Sequence, residues 1–195
     1  MTIRKGEAWG VPAPAPAGLS IAGSDRELAA LVAADGDAPL AVSGGDVFTT
    51  IGAPVGRERA YRLPMDVLRL EADGVPHLAV AHVVVRRWWW RGPVVAAFNV
   101  DHMGDWNVAP RAHPNDGRFD IIEVSQSMTV RDRLGARRRL PAGTHTPHPD
   151  ITTRTATEAS WGFDRPHKLW IDGVPVGSVR ELTVTIEPDA YSLYI

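Results

Sequence analysis

The apolar and polar positions fall into two regimes that meet near residue 60. Residues 11–18, VPAPAPAG, alternate proline with alanine, which removes backbone donors and predicts an extended segment. A helical pattern follows, with Leu28, Leu31 and Val32 on one face behind Ser24 and Glu27, a pair spaced as a capping box. Gly36 is expected to stop that helix in a left-handed conformation. Pro39 to Ser43 then reads as a short buried strand running directly into Gly44-Gly45-Asp46. Helix, buried strand and glycine turn, in that order, form the end of an α/β unit.

From Tyr61 onward the period shortens to that of strands. MDVLRLEA and HLAVAHVVV flank Asp73-Gly74, a strong hairpin signal, and the runs Pro93 to Val100 and Phe119 to Val124 are further apolar strands. Met128 to Leu140 reads as a second helix capped by Thr129 and Asp132. Four short strands are predicted after it: ITTRTAT, KLWI, ELTVTI and YSLYI, with Asp172-Gly173 as another tight turn. Such regular spacing of β-branched runs favours a sandwich or barrel.

Composition narrows the function classes. The 195 residues are 44% hydrophobic and 23% charged, enough for a real core. A net charge of -2 supplies no global field for nucleic acid, so no nucleic-acid partner is expected. No cysteine is present, which excludes thiolate nucleophiles and Cys-ligated zinc. The N-terminus lacks a signal-peptide apolar core, and Leu78 to Val85 is too short to span a bilayer. The expectation is a cytoplasmic protein with at most peripheral membrane contact. No G-x-S-x-G elbow occurs, so Ser-His-Asp hydrolysis has no support.

The segment from Phe98 to Asp120, FNVDHMGDWNVAPRAHPNDGRFD, resembles the N…G…APxAxPxDGxLD stretch of the diacylglycerol kinase family of bacterial lipid kinases. Gly143-Thr144-His145 with Pro149 resembles that family's GxH loop, LWIDG resembles its VDGE turn, and AVSGGDVFTT resembles its GGDGT nucleotide motif. The likeness covers residues 93–195 well and the earlier part weakly. It implies a glycine turn (Gly44, Gly45, Asp46, Thr49) that holds ATP phosphates in an α/β domain, ahead of a β-sandwich that receives lipid. It further implies Asp172 as the base on a lipid hydroxyl, Asp116 of PNDG at a structural magnesium, and Asn99 and His145 as ligand contacts.

The departures point away from ATP chemistry. The stretch ahead of the sandwich is shorter than the family's nucleotide domain. Val47 replaces the glycine after Asp46, and a β-branched side chain resists close approach to phosphate. The GTxNDxA segment has no counterpart, and Val174 replaces the glutamate of the DGE turn. Each change removes part of the charge handling that phosphoryl transfer needs.

Other features carry two readings. Asp172 and Asp116 also suit ordinary Asx-type turns, and the glycine turn suits a vestigial strand-to-helix bend. His145, His148 and Asp150 lie close together, yet Pro147 and Pro149 turn successive side chains apart. Arg131, Arg133, Arg137, Arg138 and Arg139 form either a solvated helix face or an anionic-headgroup contact. Trp88, Trp89 and Trp90 in a strand would alternate faces, and a homodimer contact is the favoured cover for the exposed one. The expected architecture is mostly β: an antiparallel β-sandwich over 61–195 preceded by a short α/β remnant over 1–60. The expected function is a degenerate lipid-kinase-family protein that binds a lipid or phosphorylated small ligand without efficient transfer from ATP. The alternative is an active lipid kinase completed by a second chain.

Overall fold

The computed structural model describes residues 9–54, 61–88 and 90–195. Helix α1 (Asp25–Ala34) begins as its sequence dictates: the Ser24 hydroxyl accepts the Glu27 N–H at 3.3 Å, and the Glu27 carboxylate accepts the Gly23 N–H at 2.7 Å. Its stop differs from expectation. Gly36 is not left-handed; a Cβ there would lie 3.0 Å from the Ala190 carbonyl, so the glycine serves close packing.

The N-terminal elements are β1 (Val11–Pro12), β2 (Ser20–Ala22), α1, β3 (Leu40–Val42) and the short helix α2 (Asp46–Thr50). Next come β4 (Tyr61–Ala72), β5 (Val75–Ala79), β6 (His82–Arg86), β7 (Val94–Phe98), and the small hairpin of β8 (His102–Met103) with β9 (Trp106–Asn107). The chain closes with β10 (Phe119–Val124), α3 (Val130–Arg139), a 3-10 turn over Leu140–Ala142, β11 (Ile151–Ala156), β12 (Glu158–Ile171) and β13 (Val174–Tyr194).

Most pairings are antiparallel. Hydrogen bonding runs in the order β1-β4-β13-β12-β6-β7-β10-β11, with β5 on β4 and the parallel pair β2-β3 joined to β13. The sandwich is therefore made from one continuous ladder whose long strands β12 and β13 serve both layers. Leu68 and Leu70 from β4 pack with Val83, Val85, Phe119, Ile121, Leu182 and Val184 in the core between them. The two strands are longer than the sequence runs suggested. KLWI is only the end of β12, and ELTVTI and YSLYI belong to one strand, β13. Pro166 and Pro188 fall inside the register shifts Gly162/His167 and Glu187/Tyr191, where a missing N–H breaks no ladder bond.

The described residues ahead of β4 share a core with the rest. Leu28, Val32, Leu40 and Val47 pack with Leu63, Met65, Tyr191 and Leu193 from β4 and β13.

Candidate functional site

The glycine turn between β3 and α2 has a specific steric cause. A Cβ on Gly44 would lie 2.6 Å from the Gly23 carbonyl oxygen, and Gly45, at φ 96°, would place one 2.5 Å from Asp25 Oδ1. The carboxylate that crowds Gly45 also occupies the helix start. Asp25 accepts the main-chain N–H groups of Asp46 at 2.6 Å and Val47 at 3.0 Å. Those are the donors a bound phosphate would use. Burial raises the Asp25 pKa, and these two hydrogen bonds pull against it. Thr49 turns back on its own helix, its hydroxyl donating to the Gly45 carbonyl at 3.1 Å.

Asp46 faces the sandwich. Its Oδ1 accepts the Gly104 N–H at 2.7 Å, and its Oδ2 lies 2.9 Å from His82 Nε2. Burial lowers the basicity of His82, but the Asp46 hydrogen bond and the charges of Asp172, Asp46 and Asp25 outweigh it and raise the pKa.

Asp172 occupies the turn between β12 and β13. Its φ of 48° and that of Gly173 at 76° are both positive, the geometry of a tight two-residue hairpin. Its carboxylate accepts the N–H groups of Val80 at 3.1 Å, Ala81 at 2.9 Å and His82 at 3.0 Å. Burial pushes its pKa up to about 6, against His82 and the three amides. Both oxygens are thus engaged on a neighbouring loop, and the group is turned inward. Asn99 holds the same loop from the other side: fully buried, it donates through Nδ2 to the carbonyls of Val80 and Asp66, each at 2.9 Å.

In PNDG the buried residue is Asn115, not Asp116. Asn115 donates to Asp66 at 3.1 Å and to Asp189 at 3.0 Å, while Gly117 N–H reaches Asp66 at 2.8 Å. Asp116 closes a local turn by accepting the Arg118 N–H at 3.0 Å. Among the described residues no three His, Asp or Glu side chains gather to hold a metal. A magnesium at Asp116 would rest on that one carboxylate, main-chain carbonyls and water, the donors a hard cation takes. His145 stands apart from His148, whose Nδ1 accepts the Asp150 N–H at 3.1 Å within its own loop.

One concavity among the described residues was not legible in any one motif. A cavity of about 210 Å³ lies between the outer face of β6, β7 and β10 and the roof made by α3, the 3-10 turn and the β8-β9 hairpin. Val84, Ala96, Phe98, Val108, Ile122 and Met128 line it. His82 lies on the same face of β6 as Val84, and its ring sits 5.6 Å from that of Phe98, so the Asp46–His82 pair adjoins one end. His145 lines the cavity and is only 3% exposed, with neither ring nitrogen hydrogen-bonded. Burial lowers its pKa; the Val108 main chain is near enough to oppose this slightly but not to close a hydrogen bond.

The arginine run divides. Arg133 is buried and donates to the carbonyls of Met128, Gly92 and Ser125, pinning α3 over the cavity. Arg137 lies at the opening, its guanidinium 5.6 Å from the Trp90 ring centre and 5.5 Å from that of Trp106. The tryptophan run does not continue β6, which ends at Arg86. Trp88 is 63% exposed, Trp90 borders the cavity, and Trp89 lies outside the described residues.

No protein-family model matches this chain, and no curated protein matches it. Solved structures do. A diacylglycerol kinase from Bacillus anthracis str. Sterne superposes with a TM-score of 0.65 at 14% identity, over 90% of this chain and 75% of that one. A further structure from the same organism, described as a candidate diacylglycerol kinase, gives 0.67 at 12% identity, over 90% and 76%. This chain therefore has the fold of the bacterial diacylglycerol kinase structures.

Proposed function

We propose that this protein is a degenerate relative of the lipid kinases that binds an amphipathic lipid in the cavity beneath α3 and does not transfer phosphate efficiently from ATP. The observation that supports this reading is an apolar cavity in a protein whose candidate site carboxylates are already committed to its own main chain. Each methylene taken from water into such a lining gains about 0.8 kcal/mol, so even a short acyl chain is retained. Phosphoryl transfer, by contrast, needs cradled phosphates, bridging metal and a free base. Asp25 takes the amides of the glycine turn, Asp172 is engaged by three N–H groups, and Val174 stands at the family's glutamate position. Among the described residues no helix is long and apolar enough to cross a membrane. Arg131, Arg138 and Arg139, exposed on α3, support peripheral contact with an anionic surface from which lipid is taken.

The test combines two assays on purified protein: tryptophan fluorescence during titration with 1-dodecanoylglycerol, and transfer of label from γ-labelled ATP with magnesium to the same lipid. Saturable fluorescence change without label transfer is expected. Label transfer abolished by Asp172→Asn would establish the active kinase instead, and absence of saturable uptake would remove the lipid reading.

A further inference from the structure

The cavity is apolar throughout its floor, yet its polar groups are not scattered. Arg133 also borders it, but its guanidinium is spent on main-chain carbonyls. Two side chains remain to meet a ligand: Arg137 at the opening, stacked against Trp90 and Trp106, and His145 inside. A buried imidazole with both nitrogens unpartnered is costly unless something else bonds them. Held neutral, it presents one donor and one acceptor, and so asks for one acceptor and one donor in return.

Both groups meet one stretch of lining: Arg137 lies 5.5 Å from the Trp106 ring centre, and Val108, two residues further on, has its main chain beside His145. The cavity falls below the ~300–1,000 Å³ of drug-sized sites, which suits one chain better than two.

We propose that the cavity selects a monoacylglycerol phosphate: its phosphate against Arg137 beside Trp90 and Trp106, its ester carbonyl and free hydroxyl against His145, and its single acyl chain on Phe98, Ile122 and Met128. This rests on the reading that the cavity holds a lipid and adds the head group, the linkage and the number of chains. A guanidinium close to two indole rings offers a planar, weakly hydrated cation to phosphate oxygens. The ester supplies the acceptor and the neighbouring hydroxyl the donor that His145 lacks. A free phosphate would satisfy only the mouth.

The test is calorimetric titration of the full chain with four probes kept below micelle formation: 1-dodecanoylglycerol 3-phosphate, its 1-O-dodecyl ether analogue, 1-dodecanoylglycerol and glycerol 3-phosphate. The ester phosphate should bind tightest. The ether should lose on the order of tenfold, the unphosphorylated lipid a similar factor, and glycerol 3-phosphate should show no binding. His145→Leu should erase the ester-over-ether preference, His145→Gln, which keeps a donor and an acceptor, should restore part of it, and Arg137→Gln should erase only the phosphate preference. Equal affinity for ester and ether, or a preference unchanged in His145→Leu, overturns the proposal while leaving lipid binding intact. If none of the three lipids binds, the lipid reading itself fails.

Discussion

The Asp25 carboxylate lies 2.6 Å from the main-chain nitrogen of Asp46, at the glycine-led start of α2. An internal anion thus holds the amides of the turn that resembles the GGDGT nucleotide motif. To bind there, phosphate must displace a buried carboxylate that would be left without its two amide donors.

Removing that anion tests its structural role. Asp25→Ala should cost about 1–2 kcal/mol, the range for loss of a helix-end acceptor, read as a lower urea midpoint. No gain of ATP hydrolysis is expected, because the Asp172 carboxylate remains engaged elsewhere.

Protonation near His82 gives a signed pH dependence. Its pKa is raised, so its contribution to stability is present at low pH and is lost as pH rises through the folded value. Asp172, raised to about 6, behaves alike: its contribution is full below the ordinary 3.8 and is lost as pH approaches about 6. Urea midpoints should therefore fall as pH rises from about 4 toward neutrality. Asp172→Asn should flatten the first part of that fall and lower the His82 titration followed by NMR, and Asp46→Asn should lower it further.

Asn99 ties the Val80–His82 loop to strand β4 rather than lining an open cleft. Asn99→Leu should leave the Val80 and Asp66 carbonyls without this donor and cost about 1–3 kcal/mol in chemical unfolding. Lipid affinity should be retained in the fraction that remains folded.

Two arginines of one run should respond very differently. Arg133→Gln removes the guanidinium that meets three carbonyls and should cost about 2–3 kcal/mol, in the upper part of the range for single substitutions. Arg138→Gln, on the exposed face, should stay within about 0.5 kcal/mol. Thermal or urea unfolding of the two variants side by side checks the contrast.

Local patterns carried the helices and turns. The capping of α1 by Ser24 and Glu27, the cap of α3 at Thr129 and the Asp-Gly hairpins are short-range devices, and each is where the residues placed it. The lengths of β12 and β13 were hidden because Pro166 and Pro188 read as breakers; only the facing strands show that each sits in a register shift. Asp25 looked like an ordinary first-turn acid, and Asp66 like one charge in an alternating strand; their partners lie 21 or more residues away. Of the marked residues, Asp172 and Asn99 converge on the Val80–His82 loop, Asp46 reaches it through His82, and His145 joins the cavity, while Asp116 joins neither. The cavity itself draws on separate strands, a helix and a hairpin, so no window of sequence could contain it.

The most direct measurement of the central claim is a fluorescence titration of the unmodified protein and of Ala136→Trp, which fills the cavity roof, with 1-dodecanoylglycerol 3-phosphate. Saturable one-to-one uptake is expected for the former and none for the latter, with both showing the same far-ultraviolet circular dichroism. Equal uptake by both proteins, or none by either, would contradict it.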